Sequence, residues 1–303
     1  MRFAKTSFLS ESILYNPIID TIEYNGYAIG VLRLDLVHPE ISGNKLFKLK
    51  YNLIQAQALN KSTIMTFGGA FSNHILATAV ACKFHSLKSI GIIRGEETSA
   101  ENPTLSVAMK NGMELLFVSR TEYSQKNESG YLQRLQYMYP EAFIVPEGGN
   151  NLLGQEGCQE ILTHLTDIYS EIFCAYGTGT TFKGVSNTLL QTQNLTGINV
   201  LKYDAHINTL QTRILNDYHF GGYAKHTPEL LKFKSWFEKT YGIVLDYVYT
   251  AKLFYAVFNL MDQHKLDKQK NILIIHSGGL QGNEGYEARY NLNPNRQVND
   301  PQG

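Results

Sequence analysis

The feature that most constrains this chain is the alternation, over nearly its whole length, of short apolar strand-like runs with stretches of helical periodicity. Thr21 to Asp35 reads as a hairpin, because Asn25-Gly26 supplies the two positive-φ positions of a type I′ turn. From Lys45 to Asn60, Leu46, Leu49, Leu53 and Ile54 recur at helical spacing. Strands are then expected at Ser62 to Phe67, Ser89 to Arg94, Glu114 to Val118 and Ala142 to Val145, separated by helices at Ser72 to His85, Pro103 to Gly112 and Tyr131 to Tyr139. A second series follows. It runs through helix Leu152 to Tyr169, strand Ile172 to Tyr176, a helix to about Leu190, strand Ile198 to Tyr203, a largely helical stretch from Leu210 to Leu260 and strand Ile272 to His276. Strands joined through helices need right-handed crossovers, so the pattern predicts an α/β fold of two doubly wound, mostly parallel sheets.

A boundary near Pro146 to Asn150 divides the two series, and a ligand is expected in the cleft between them. A length of 303 residues suits two such units. Lys+Arg and Asp+Glu are balanced at 27 each, which removes the footprint of a nucleic-acid or membrane-surface binder and favours a small-molecule partner. The run Ile75 to Cys82 is far below the roughly 18 residues that span a bilayer. Arg2 and Lys5 are followed by no apolar signal-peptide core, so a cytoplasmic protein is expected, with a poorly ordered or extended polar tail after Tyr290. Cys82, Cys158 and Cys174 are odd in number and widely spaced, as small buried hydrophobes are, and no HExxH or CxxC suggests a metal.

Five segments could carry chemistry. Gly177-Thr178-Gly179-Thr180-Thr181 follows a strand and opens a helix, so its amides and hydroxyls could hold a phosphate, although an ordinary turn reads the same way. Gly68 to His74 repeats the pattern; Ser72 or Asn73 is a natural N-cap, or part of a carboxylate site. Lys45, in Ile41-Ser42-Gly43-Asn44-Lys45-Leu46-Phe47-Lys48-Leu49, could have its pKa depressed by burial and form a Schiff base. Leu245 to Lys252 and His276 to Gly282, alone, read as core and turn.

The joint order of these segments resembles the 1-aminocyclopropane-1-carboxylate deaminase and D-cysteine desulfhydrase family of pyridoxal-phosphate enzymes, within the tryptophan synthase β-like fold (fold type II). The resemblance runs from about Arg33 to Gly282. Gly43-Asn44-Lys45 and Lys48-Leu49 match the family's GGNK-x-R-K-L, Gly69 to His74 its G-x-x-SN-[HQ], and Pro146, Gly148, Gly149, Gly154 and Gly157 its glycine-rich segment. Asp246 to Lys252 resembles DPVY-[TE]-GK, His276 to Gly279 matches H-[TL]-GG, and Gly222-Tyr223-Ala224 partly keeps GYG-x-P. Ser42, Phe47, Lys50, Tyr247 and Ala251 depart from the pattern.

What the resemblance implies is a homodimer with a large cofactor-binding unit, 1–48 plus 148–303, and a small inserted unit, 49–147. Pyridoxal 5′-phosphate would lie between them, linked to Lys45, which then serves as the base. Ser72 and nearby amides would bind the substrate carboxylate, with Asn73 and His74 beside it. Asn73 would also reach the cofactor's phenolic oxygen, and Gly177, Thr178, Gly179, Thr180 and Thr181 its phosphate. Tyr249 and Tyr223 would face the substrate side chain. Thr250 matches the position opposite the pyridine nitrogen, where a hydroxyl leaves the ring neutral. A neutral ring suffices for β-elimination, so the expected activity is a lyase of the D-cysteine type, giving pyruvate, ammonia and sulfide. Cyclopropane deamination, and a catalytically silent protein that keeps the fold, are the alternatives.

Overall fold

The structure, a computed structural model, describes residues 16–38, 41, 43–95, 102–163, 165 and 168–292. The N-terminal ten residues, Ser42 and the tail from residue 293 lie outside these, with the expectations attached to them. The chain opens with β1 (Ile19–Tyr24), β2 (Tyr27–Arg33) and α1 (Asn44–Ala58). Next come β3 (Thr63–Gly68), α2 (Asn73–Phe84), β4 (Lys88–Arg94), α3 (Pro103–Lys110), β5 (Met113–Val118), α4 (Arg120–Ser124), α5 (Ser129–Met138) and β6 (Ala142–Val145). The remainder holds α6 (Leu152–Gln159), β7 (Glu171–Tyr176), α7 (Thr180–Ser186), β8 (Asn194–Asn199), β9 (Thr212–Leu215), α8 (Pro228–Tyr241), α9 (Thr250–Asp262), β10 (Ile272–His276) and α10 (Asn283–Tyr290).

Two sheets result, ordered β1-β2-β10-β7-β8-β9 and β5-β4-β3-β6. Among the strand pairs of the two sheets, the β1–β2 hairpin alone is antiparallel in the described residues, turned by Asn25 and Gly26 at φ 48° and 82°. Helices cover both faces, so β3 and β10 are buried at every residue and are largely apolar, with Thr63, Thr66 and His276 as their polar members. Caps fix where the helices begin. Ser72, Asn102, Asn151 and Thr227 each accept a backbone N–H three residues on, and Pro103 and Pro228 follow two of them.

Each sheet reverses its winding direction once. In the smaller sheet the chain steps outward from β3 through β4 to β5, then returns to β6 on the other side of β3; in the larger it steps from β7 through β8 to β9 and returns to β10. Loops leaving the C-terminal ends of strands at such switch points diverge and leave a crevice. Here those loops are Gly69 to Ser72, Glu147 to Gly149, Gly177 to Gly179 and Ser277 to Gly279, and all border one cavity.

Four readings are corrected. The helix opening at Leu152 ends at Gln159, not Tyr169: a 3₁₀ turn follows and Thr163 is extended at ψ 136°. The strand expected at Ile198 to Tyr203 lies four residues earlier, because Asn199 bonds the Leu201 N–H and the Tyr203 carbonyl and so ends it. The stretch from Leu210 is not continuously helical; it carries edge strand β9, rich in β-branched residues, and an irregular segment before α8. Helix α10 was not anticipated, since its residues lack an apolar period.

Candidate active site

The cavity has a volume of about 390 Å³ and draws its wall from both sheets. Lys45 enters it from the first turn of α1. Gly43 directs that turn: its φ is +71°, and a Cβ there would stand 1.9 Å from the Ser277 carbonyl oxygen, so only glycine lets the Asn44 N–H donate to Ser277 at 3.0 Å. The Lys45 amine donates to Asn44 Oδ1 at 2.8 Å. Burial, reinforced by the charge of Lys48, pushes its pKa down to about 7. Lys48 lies one helical turn further on the same face and also borders the cavity; its amine has no hydrogen-bond or ion-pair partner among the described residues, and burial lowers its pKa too.

Opposite stands the loop Gly177 to Thr181. Thr178 and Thr180 share a hydrogen bond of 3.1 Å, Thr180 donates to Asn150, and Thr181 accepts from Asn44 Nδ2 at 2.9 Å. All five residues line the cavity, and the N–H groups of the first turn of α7 lack intrahelical acceptors. Lysine amine and hydroxyl-rich loop thus face each other, with Asn44 joining them.

Ser72, Asn73 and His74 open α2. Ser72 Oγ accepts from Ile75 N–H, which leaves its own proton free. Asn73 Nδ2 donates to the Gly279 carbonyl at 3.0 Å, while its Oδ1 is buried without a partner. His74 is buried; Nε2 lies 2.9 Å from Thr66 Oγ1, whose proton goes to the Val145 carbonyl, so Nε2 carries the hydrogen. Burial and the nearby lysines keep the ring neutral, and Nδ1 is a bare acceptor.

Tyr249 and Tyr223 meet edge to face with ring centroids 6.3 Å apart. Burial holds the Tyr249 phenol well above its ordinary pKa. The Tyr223 segment is pinned by Lys252, fully buried, whose amine donates to the carbonyls of Gly222 at 2.6 Å and His219 at 2.8 Å.

Thr250 does not join these groups. It is fully buried and absent from the cavity wall; its hydroxyl donates to Asp246 Oδ1 at 2.8 Å and accepts from Asp246 N–H at 2.7 Å, a closed cap on α9. Phe47 also lies away from the wall, fully buried in the core, where α6 approaches so closely that a Cβ on Gly157 would stand 1.8 Å from its carbonyl oxygen. Lys50, in place of an acidic residue, is buried against Glu160 at 2.6 Å. Sequence reasoning left Asn44 and Lys48 without roles, although the Asn-Lys-x-x-Lys spacing on one helix face was the available signal.

No known family profile matches the chain. The fold is that of the tryptophan synthase β-like, type II class of pyridoxal-phosphate enzymes. A crystal structure of an ACC deaminase homologue superposes with a TM-score of 0.78 at 24% identity, covering 95% of this chain and 98% of that one. A hydrogen sulfide-producing enzyme from Fusobacterium nucleatum gives 0.65 at 14% identity, covering 90% and 99%. A Thermotoga maritima protein assigned as a 1-aminocyclopropane-1-carboxylate deaminase is 30% identical over 290 residues, which are 86% of this chain and 91% of that protein. The mitochondrial bifunctional D-cysteine desulfhydrase/1-aminocyclopropane-1-carboxylate deaminase of Arabidopsis thaliana is 29% identical over 302 residues, 85% of this chain and 74% of its own. The chain belongs to the 1-aminocyclopropane-1-carboxylate deaminase/D-cysteine desulfhydrase family and is an enzyme of that deaminase or desulfhydrase type.

Proposed function

We propose that the cavity holds pyridoxal 5′-phosphate on Lys45, and that the chain is a lyase acting on a small amino acid of the D-cysteine type, with pyruvate, ammonia and sulfide as products. The observation that carries this is the Lys45 amine. Lowered to about 7, it has a substantial free-base fraction near neutrality, and it faces a cradle of hydroxyls and amides. The residues fit the cofactor. Lys48 has no acceptor, and Asn73 Oδ1 and His74 Nδ1 are buried without donors, an arrangement that costs stability unless a ligand completes it.

Bound there, the cofactor would supply an electron sink for charge developing at the substrate Cα. The chain's own residues divide the rest. Lys45 attaches the cofactor and, once displaced by the substrate amine, takes the Cα proton. Thr178, Thr180 and Thr181 hydroxyls, the Gly177 and Gly179 backbone and the Lys48 ammonium hold the phosphate. Ser72 donates its free proton to the substrate carboxylate, above His74. Asn73 hydrogen-bonds the phenolic oxygen, and Tyr249 and Tyr223, kept protonated, face the departing group.

Elimination is favoured over cyclopropane deamination by the state of an acid on the wall. Asp246 is spent on the N–H groups of Val248, Tyr249 and Thr250, so it is not free to keep a pyridine nitrogen protonated. The division into 1–48 plus 148–303 and an inserted 49–147 and a homodimeric assembly are part of the proposal and rest on the family resemblance; a cytoplasmic setting is proposed from the sequence pattern.

The test is the visible absorbance of the protein incubated with pyridoxal phosphate, before and after borohydride, with mapping of the modified peptide, then sulfide detection with D-cysteine. A band bleached by borohydride and mapping to Lys45, with sulfide release, supports the lyase; a band with turnover of 1-aminocyclopropane-1-carboxylate alone favours the deaminase. Absence of any band overturns the cofactor assignment.

A further inference from the structure

The proposed roles leave two cations of the cavity wall without a task. Arg94 ends β4, where the register sets Ile93 beside Gly68, so it reaches over the turn that carries Ser72; a Cβ on Gly69 would stand 3.6 Å from an Arg94 Nη. Arg289 projects from α10, which follows the loop after β10 and so belongs to the other sheet. Both border the cavity. Neither has a carboxylate partner among the described residues; Arg94 lies 5.7 Å over the Tyr123 ring and Arg289 5.4 Å over Tyr290. Of the wall's two acids, Asp246 is committed to the start of α9, and Glu147 lies 3.6 Å from the Lys126 amine. Burial, Glu147 and Asp246 raise the Tyr223 phenol, while Arg94 and Arg289 both pull it back, so the field of both guanidinium groups extends to one hydroxyl of the cavity wall.

We propose that Arg94 and Arg289 form a subsite for a second negative charge, so that the preferred ligand is an α-amino acid whose side chain ends in an anionic group. This rests on the amino-acid site proposed above. With the α-carboxylate at Ser72 and the amino group at Lys45, the side chain is left directed at the Tyr223 end of the cavity, and guanidinium forks suit carboxylate, phosphate or sulfonate oxygens. Two partly solvated cations discriminate by about ten-fold rather than by many orders of magnitude, and salt weakens the effect.

Aspartate and asparagine differ in one charge and hardly in shape, so the probe is their binding to the cofactor-loaded protein by calorimetry, with both enantiomers of each. The expected result is an affinity for aspartate about ten-fold above that for asparagine, smaller at high salt, reduced by Arg94→Gln or Arg289→Gln and brought to about one in the double variant. Thermal unfolding and the Lys45-linked absorbance band verify that each variant is intact. Equal affinities in the unaltered protein, or a preference that survives the double variant, overturn the subsite while leaving the amino-acid site standing. If the Lys45 band is absent and neither amino acid binds, both readings fall together.

Discussion

Lys45 and Thr181 are joined through a single carboxamide: Asn44 accepts from the Lys45 amine at 2.8 Å and donates to the Thr181 hydroxyl at 2.9 Å. The attachment point for a cofactor and the loop for its phosphate are therefore set at a fixed separation by one buried residue. Asn44→Ala leaves an amine and a hydroxyl unpartnered in the cleft, at a cost of about 1–3 kcal/mol. The expected outcome is a fall in pyridoxal-phosphate affinity of about ten-fold or more, read from titration of the visible band.

The depressed pKa of Lys45 has a consequence with a definite sign. Below about 7 the amine is charged in both folded and unfolded chains, and the full penalty of burying it is present. Between about 7 and the usual lysine range the folded chain has lost its proton and the unfolded chain has not, so stability rises with pH across that window. In cofactor-free protein Lys45→Met should therefore raise the melting temperature by a few degrees at pH 6 and by less at pH 10, as a calorimetric scan would show. A gain independent of pH would mean that the amine titrates normally.

A buried cluster around Asp35 lies behind the loop Ser277 to Gly279. His276 Nδ1 lies 3.1 Å from Asp35 Oδ1, its Nε2 donates to the Val244 carbonyl at 2.8 Å, and Arg33 bridges Asp35 and Asp20. Burial alone would raise the Asp35 carboxyl, but bonds from His276 and Arg33, with their charges, hold it well below the usual carboxylate range. Its stabilisation is complete above the unfolded value of about 4 and is lost as pH falls through the depressed folded value. Asp35→Asn leaves His276 unpaired beside Ser277 to Gly279, so it is expected to cost about 3–5 kcal/mol at pH 7 in denaturant unfolding, a gap that narrows below pH 4.

Much of this was legible in the chain because parallel strands buried on both faces must be continuous apolar runs. Ile64 to Phe67 and Ile272 to Ile275 announced themselves for that reason. Lys45, Ser72, Asn73 and the threonine loop could be singled out because each sits in a local glycine or cap pattern at the end of an element, whereas Tyr249 stood out only through the family resemblance. The partner of the Thr250 hydroxyl was not legible, since only the folded helix start reveals that Asp246 accepts from it. Arg94 and Arg289 were invisible as a pair: they belong to different sheets, and nothing local to either residue indicates that one cavity brings them together.

The approach of α6 to α1 gives the last prediction. Gly157 sits where a Cβ would stand 1.8 Å from the Phe47 carbonyl oxygen, a backbone atom that cannot swing aside as a flexible side chain could. Gly157→Ala must therefore separate the helix bearing Lys45 and Lys48 from α6, and with it Cys158, whose buried thiol neighbours both lysines. Overpacking of this kind costs about 1–3 kcal/mol or more where the neighbour is rigid. Because the strain falls on the two residues after Lys45, the variant is expected to lose cofactor attachment as well as stability. Gly130→Ala, in helix α5 with open space at its Cβ, is the control: it should leave attachment unchanged and raise stability by about 0.5–1 kcal/mol. A Gly157→Ala protein that melts lower yet binds pyridoxal phosphate with full affinity would show that the α1–α6 contact supports the core without setting the position of Lys45.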